Sequence, residues 1–381
     1  MLNFGLGGHP FLPGECAGGG NGSMDFSSDN IAGASRPILE ALIGANEGPA
    51  TPYGADGWSR EAERRLAEIF EHDLVCFLVT TGTAANALAL SALCPPWGAV
   101  FCHAEAHVIA DECGAPEMAT GGAKLVGIEG AFGKLTPEAF AARLENFPRG
   151  PVRQVQPAAL SLSQVTESGT LYSLAELRAL SDRAHEAGLP VHMDGARFAN
   201  ALVALGATPA EMSWKAGIDV LSFGATKNGA LACEAVLFFD PERARDFVYR
   251  RKRAGHTLSK SRMLGAQMVA YLQEGHWLDL ARKANAQAHR LAKGIAAIDG
   301  LRLAWPCEAN EIFVILPEKV DTHLRKAGAH YYAWEMPAVW PVGTGTGAKP
   351  GPGESLVRLV TSFATKEVTI DRFLAVAAAA A

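Results

Sequence analysis

Residues 190–229 read PVHMDGARFANALVALGATPAEMSWKAGIDVLSFGATKNG. The stretch opens on a short apolar run that ends in a carboxylate, Asp194, followed by the turn Gly195-Ala196-Arg197. A second apolar run, Val220-Leu221-Ser222, leads into Phe223-Gly224-Ala225-Thr226-Lys227-Asn228-Gly229. Between them Thr208-Pro209-Ala210-Glu211 carries a capping box, which predicts that a helix starts there. Strand, helix and strand in this order specify two parallel strands, and their carboxyl ends can open onto one crevice. The stretch therefore predicts a carboxylate and a lysine at neighbouring strand ends.

The same alternation extends outward. Buried strands are predicted over residues 74–79, 100–103, 124–128, 159–165 and 235–239. Helices are predicted over residues 83–93, after Thr136-Pro137-Glu138, and from the capping box Ser173-Leu174-Ala175-Glu176 to Gly188. The fold class implied is α/β: a mostly parallel sheet sandwiched by helices. After Asp240 the alternation gives way to helical stretches over 241–253, 259–274 and 278–298. Strand candidates at 301–304, 312–316 and 356–360 follow, with a short helix at 320–327 and a last one from Lys366. This predicts a large domain over 24–275 and a smaller C-terminal α+β domain over 276–381. Residues 1–23 are Gly-rich without periodicity and read as a disordered leader. The Gly/Pro-rich residues 342–353 form a long loop.

Composition narrows the function. Of 381 residues, 49% are hydrophobic and 19% charged, as in a packed globular chain. A net charge of -6 argues against a general nucleic-acid binder. No apolar run approaches the ~18–20 residues of a membrane span. The seven cysteines contain no CxxC pair, which points to reduced thiols and a cytoplasmic location rather than a disulfide framework.

Four groups of residues can carry chemistry. Lys227 sits at a strand end among small residues, where a lysine loses solvation and can form a Schiff base with a carbonyl. Asp194 has a bland reading as a helix N-cap, but its partner strand end carries Lys227. A carboxylate and a Schiff-base lysine at one crevice suit pyridoxal phosphate, whose ring nitrogen needs an acid partner. Thr80-Thr81-Gly82-Thr83-Ala84-Ala85-Asn86 is a strand-to-helix turn able to seat a phosphate, though ordinary capping writes the same string. It is neither a P-loop nor GxGxxG. In Cys102-His103-Ala104-Glu105-Ala106-His107, Glu105 falls off the face that the histidines would share on a helix, so no HExxH metal site is expected. One histidine stacking on a cofactor ring and a core or surface histidine both remain open.

Taken in order, these pieces resemble the threonine aldolases of the pyridoxal-phosphate fold type I superfamily, close to the phenylserine aldolases. The resemblance runs from Met24 to about Leu374. Met24-Asp25-Phe26-Ser27-Ser28-Asp29 is similar to the family's D-[LF]-x-S-D segment, which implies that Ser28 helps to hold the substrate carboxylate. Pro52-Tyr53-Gly54-Ala55-Asp56 resembles its YG-[DE]-D loop near the subunit boundary. Thr81-Gly82-Thr83-Ala84-Ala85-Asn86 resembles its SGTxAN phosphate cup, and implies cofactor contacts at Gly82 and Thr83. Ala106-His107 with Glu112-Cys113-Gly114 resembles AHxxxxEAG, which gives His107 the ring-stacking role. Asp194-Gly195-Ala196-Arg197 matches DGAR, Thr226-Lys227 the hydroxyl–lysine pair at the cofactor, and Val357-Arg358-Leu359-Val360-Thr361 the RLVT strand. The family's arginines imply a clamp on the substrate carboxylate by Arg197 and Arg358. Where many members carry a histidine in an ENTHNG-like strand end, this chain has Gln164-Val165-Thr166-Glu167-Ser168-Gly169, so the general base is left between His107, Glu167 and a water. Ala115 and Ser362-Phe363 are smaller departures.

The resemblance implies a pyridoxal 5'-phosphate-dependent aldehyde-lyase that cleaves L-threonine, L-allo-threonine or L-phenylserine-type β-hydroxy-α-amino acids to glycine and an aldehyde. It also implies a homodimer or homotetramer with active sites at the dimer interface. A β-eliminating lyase or aminotransferase is the alternative within that cofactor class. A non-catalytic cofactor-binding protein of the same fold, or a zinc protein built on Cys102, His103, His107 and Cys113, are alternatives outside it.

Overall fold

The computed structural model describes residues 24–343 and 345–381, so the leader expected over 1–23 lies outside the described residues. Its centre is a seven-stranded sheet in the order Val75–Val79, Glu234–Phe238, Val220–Gly224, Val191–Gly195, Gln156–Ser163, Gly98–His103, Lys124–Ile128. Only Glu234–Phe238 runs antiparallel to its neighbours. Helices cover both faces, so Val191–Gly195, Val220–Gly224 and Glu234–Phe238 are buried along their whole length. That is why these strands read as continuous apolar runs rather than as alternation. Beneath the central strands, Phe223 packs edge-on against Phe70 and Trp277 at centroid separations of 5.8 and 5.5 Å.

Two local readings change. The capping-box hydrogen bonds at Thr208 and Glu211 form, at 2.8 and 3.2 Å, yet no helix of more than one turn follows. The Trp214 indole donates to the Phe70 carbonyl at 2.7 Å and Gly217 takes a φ of +89°, so the chain is drawn out of a helical course. The crossover is made instead by the helix Phe198–Leu205. The strand predicted over 159–165 ends at Ser163, because residues 164–169 turn back toward the cleft. The helices Arg36–Ala45 and Gly57–Phe70 have no counterpart in the sequence reading; the second is capped by Asp56, which accepts from Ser59 N at 2.8 Å.

The long helix His276–Ala296 leads to a second, antiparallel sheet ordered Tyr332–Ala333, Glu354–Val360, Glu311–Pro317, Arg302–Leu303. The sequence reading places Met24 in the large domain; Met24–Asp25 pairs with Ala329–His330, and Met24 and Phe26 fill the small core with Ile312, Val357 and Phe373. Burial of these two side chains fixes the N-terminal segment on the small sheet.

Register positions the site. Ser163 lies opposite Asp194, Asp194 opposite Ser222, and Gly224 opposite Glu234, so these strands end at one level. The turns beyond them touch. A Cβ on Gly224 would fall 2.5 Å from the Ala196 carbonyl oxygen, and one on Gly195 would fall 2.8 Å from that of Ser222. We expect Gly224→Ala to lower stability by about 1–3 kcal/mol, since the neighbour is backbone and cannot yield. Gly33→Ala, which points into open space, should stay within about 0.5 kcal/mol of the parent. Thermal denaturation of both variants checks this, and equal melting temperatures would refute the close approach.

Candidate active site

At the carboxyl ends of the parallel strands lies a cleft of about 670 Å³. It brings together Ser28, Gly82, Thr83 and His107 from the first half of the chain. Glu167, Asp194 and Arg197 join them from the centre, Thr226 and Lys227 from the next strand end, and Arg358 from the small sheet. His103 is not among the lining residues. It is buried in its strand, where Nδ1 accepts from Glu105 N at 3.2 Å and Nε2 donates to the Gly130 carbonyl at 3.0 Å. The zinc reading fails with it: the one group of potential ligands among the described residues is His107, Glu112 and Asp194. Burial also pushes the Cys102 thiol up to about 12, away from the thiolate a metal needs.

The lysine end is held from several sides. Lys227 lies in a single 3₁₀ turn, Thr226–Asn228, closed by Gly229 at φ +108°. The next side chain, Asn228, donates to the Tyr271 hydroxyl and to the Trp277 carbonyl, both at 2.8 Å. Glu234 accepts from Ala225 N at 2.8 Å and from Thr226, which ties the turn to the neighbouring strand. Lys227 is left half-buried with its ammonium on the cleft.

The opposite end is the N-terminus of the helix Gly82–Leu93. Thr81 caps it, accepting from Ala84 N at 3.1 Å, and the N–H groups of Gly82 and Thr83 precede the first intrahelical bond. Open space surrounds Gly82, so an anion can reach these donors at the positive end of the helix dipole.

Asp194 and His107 stand between these ends. Asp194 accepts from Ala196 N at 3.0 Å and from Asn86 Nδ2 at 2.8 Å. His107 Nδ1 lies 2.9 Å from Glu112 Oε1, and the histidine's backbone N–H donates to Glu167 Oε1 at 2.8 Å. The hydrogen bond to Glu112 raises the imidazole's titration above its ordinary range, against partial burial. Burial pushes the Glu167 carboxyl up to about 7, although bonds from His107 N and Ser163 hold it partly down. Its second oxygen is buried without a partner. Glu167 can therefore hold or release a proton near neutrality.

The two arginines differ. Arg197 is already matched: it grips Asp29 through two bonds of 2.7 and 3.1 Å and lies 3.2 Å from Glu311. Burial works against the Asp29 carboxylate, but Arg197 and Lys227 hold it below its ordinary range. Arg358 is looser. Its contacts to Glu311 and to the Ser27 carbonyl are 3.5 Å, it stacks over Trp334 at 4.3 Å, and its Nε has no acceptor. A guanidinium held this loosely, with a buried Nε still lacking an acceptor among the described residues, suits a carboxylate. Asp29, Asn86, Glu112, Glu234 and Glu311 were given no role by the sequence reading. Glu234 and Glu311 each head an otherwise apolar, buried strand, and a charge at the mouth of such a run is a readable signal.

These residues fit a pyridoxal group by their donor chemistry: an amine to bond its aldehyde, a carboxylate to meet its nitrogen, and open helix N–H groups for its phosphate. Fold and site together define an α/β lyase scaffold built around a lysine. The chain belongs to the beta-eliminating lyase family, whose pattern matches residues 25–319. The low specificity L-threonine aldolase of Pseudomonas aeruginosa is 44% identical over 312 residues, covering 82% of this chain and 90% of that protein. That of Saccharomyces cerevisiae is 25% identical over 294 residues, covering 77% and 74%. The structure of Leishmania major threonine aldolase matches with a TM-score of 0.84 at 29% identity, over 93% of this chain and 98% of that one. Sphingomonas wittichii serine palmitoyltransferase shares the fold, with a TM-score of 0.66 at 16% identity over 94% and 87%. The resemblance drawn from the motifs thus holds across the chain.

The buried acids make a pH prediction. A carboxyl that titrates near 7 when folded and near 4.5 when unfolded keeps its proton longer in the folded state. Folding stability is then lost as pH rises from about 4.5 to 7. We expect Glu167→Gln and Glu234→Gln each to melt above the parent at pH 8, by up to about 3 kcal/mol, and close to it at pH 4.5. Melting curves at both pH values test this; a gap that does not grow with pH would show that these acids titrate normally.

Proposed function

We propose that the chain is a pyridoxal 5'-phosphate-dependent aldolase that cleaves L-threonine, L-allo-threonine or L-phenylserine-type β-hydroxy-α-amino acids to glycine and an aldehyde. The observation that carries this reading is the shared cleft of Lys227 and Asp194 at the ends of adjacent parallel strands. Kinship with the Pseudomonas protein supports the aldolase over other lyases.

Bound there, the cofactor supplies an electron-withdrawing ring joined to the substrate's amine. Lys227 would hold the cofactor through its amine. Asp194 would meet the cofactor's ring nitrogen and keep it protonated, Gly82 and Thr83 would seat its phosphate, and Thr226 would stand beside the lysine. Arg358 and Ser28, with Arg197 behind them, would fix the substrate carboxylate and so orient the bonds at Cα for cleavage. His107 would pack against the cofactor. A proton then leaves the β-hydroxyl for His107, Glu167 or a water between them. Glu167 is suited to this by its free oxygen and near-neutral titration.

Two copies are proposed to assemble around the cleft, as dimer or tetramer, with Ile31, Leu39 and Ile43 exposed on the N-terminal side as apolar surface to cover. Among the described residues no helix is long and apolar enough to cross a membrane, and a cytoplasmic location is proposed.

Incubation with threonine, allo-threonine, phenylserine and cysteine should release glycine and an aldehyde from the first three. Ammonia and a 2-oxo acid in their place, 2-oxobutanoate from the threonines, phenylpyruvate from phenylserine and pyruvate from cysteine, would favour a β-eliminating lyase. Lys227→Ala should lower turnover by at least about 10³-fold. After borohydride treatment the parent should carry cofactor through denaturation, as mass spectrometry reads, and Lys227→Ala should not. Cofactor retained covalently by the variant would overturn the lysine's assignment.

A further inference from the structure

Behind the cleft lies a buried carboxyl that none of the roles above uses. Glu112 sits between the short helices His107–Ala110 and Ala115–Thr120, and its side chain is fully buried. Cys113 and Gly114 follow it with φ of +51° and +75°, a left-handed pair that turns the chain and aims Glu112 inward. Its Oε1 lies 2.8 Å from Asn86 Nδ2 and 2.9 Å from His107 Nδ1. The same Asn86 nitrogen lies 2.8 Å from Asp194 Oδ2.

The donors in this cluster follow from chemistry. The Asn86 amide has two hydrogens and faces two carboxylate oxygens, so each receives one. The flipped amide would set its oxygen against both carboxylates, an arrangement of acceptors alone. With Glu112 Oε1 an acceptor, His107 Nδ1 carries a hydrogen in either protonation state. A neutral His107 then presents its lone pair on Nε2, and a charged one has its counter-charge beside it.

We propose that Glu112 is a positioning residue: it fixes Nδ1 of His107 as a hydrogen-bond donor and, through the Asn86 amide, locks that histidine in step with Asp194. The residue that covers the ring and the residue that meets its nitrogen are thereby one unit, spaced by a single amide. This rests on the proposed cofactor reading for its purpose, but not for its geometry. Burial raises the Glu112 carboxyl, whereas the bonds from His107 and Asn86 lower it, so loss of either partner feeds back on the other.

The test is histidine-labelled protein observed by NMR, cofactor-loaded and cofactor-stripped, with the His107 signals assigned by their loss in His107→Asn. In the parent, His107 should titrate above pH 6.5 with hydrogen on Nδ1 when neutral. Glu112→Gln keeps an acceptor but not the charge, and His107 should titrate at least about one pH unit lower. Glu112→Asp should shift it in the same direction by less; should Glu112→Gln not fold, this variant carries the test. Asn86→Ala should weaken cofactor binding about tenfold, the loss of one charge-assisted bond to Asp194. Unchanged titration in the Glu112 variants, or unchanged cofactor affinity in Asn86→Ala, would overturn the proposal. A purely structural Glu112 would lower the melting temperature and leave the titration where it is. Should the chain release no glycine at all, the titration still reads Glu112, so the two ideas fail separately.

Discussion

The contact on which the site depends is the close passage of the Ala196 carbonyl beneath Gly224. Two strand ends in register deliver Asp194 and Lys227 to one level, but only the absence of a Cβ at Gly224 lets the turns beyond them approach. A methyl group there would push the Lys227 turn off Asp194, and a shift of one ångström at either residue is what catalytic geometry does not tolerate. The aromatic packing of Phe223 on Phe70 and Trp277 stiffens the floor of the same contact.

On that frame the cleft solves a charge problem. Asp29, Glu112, Glu167, Asp194, Glu234 and Glu311 are all buried or nearly so around it, and an unpaired buried carboxylate is costly. The solutions differ by position. Asp29 and Glu311 sit between Arg197 and Arg358 and form a two-against-two group. Asp194 and Glu112 share one amide and lean on His107. Glu167 and Glu234 feel Arg197 and Lys227 only at a distance, make no direct ion pair among the described residues, and are pushed by burial to take up protons near pH 7. Arg358 is the more loosely held of the two arginines, which suits it to the proposed role of meeting an incoming carboxylate.

How far the sequence revealed this can be read from particular residues. Asp194 and Lys227 were legible because one lies at the end of a continuous apolar strand and the other in the turn just beyond its neighbour. The start of the helix Gly82–Leu93 was legible through Thr81, whose capping bond is local. What escaped was set by distant partners. Thr208 and Glu211 form their capping bonds, but Trp214 reaches Phe70, far away in sequence, and ends the helix before it begins. Met24 and Phe26 read as the start of the large domain, yet their pairing partners lie near residue 330. Asn86 and Glu112 stood inside quoted motifs without a role, since nothing local says that an amide on one helix will bridge two carboxylates from other segments.

The departure at Glu167 takes on a physical meaning from the same account. At this strand end many threonine aldolases carry a histidine, whose ordinary titration near 6.5 lets it pass protons at neutral pH. A solvated glutamate, near 4.3, would be a weak base there. Burial behind the His107 backbone brings Glu167 to about 7, so the carboxyl recovers the titration range that a histidine has by nature. The exchange alters charge more than timing: a histidine passes from neutral to cationic on taking a proton, Glu167 from anionic to neutral. As a proposed base, Glu167 would end neutral beside Asp194 and the Arg197 group and add no cation to the cleft, whereas a histidine would.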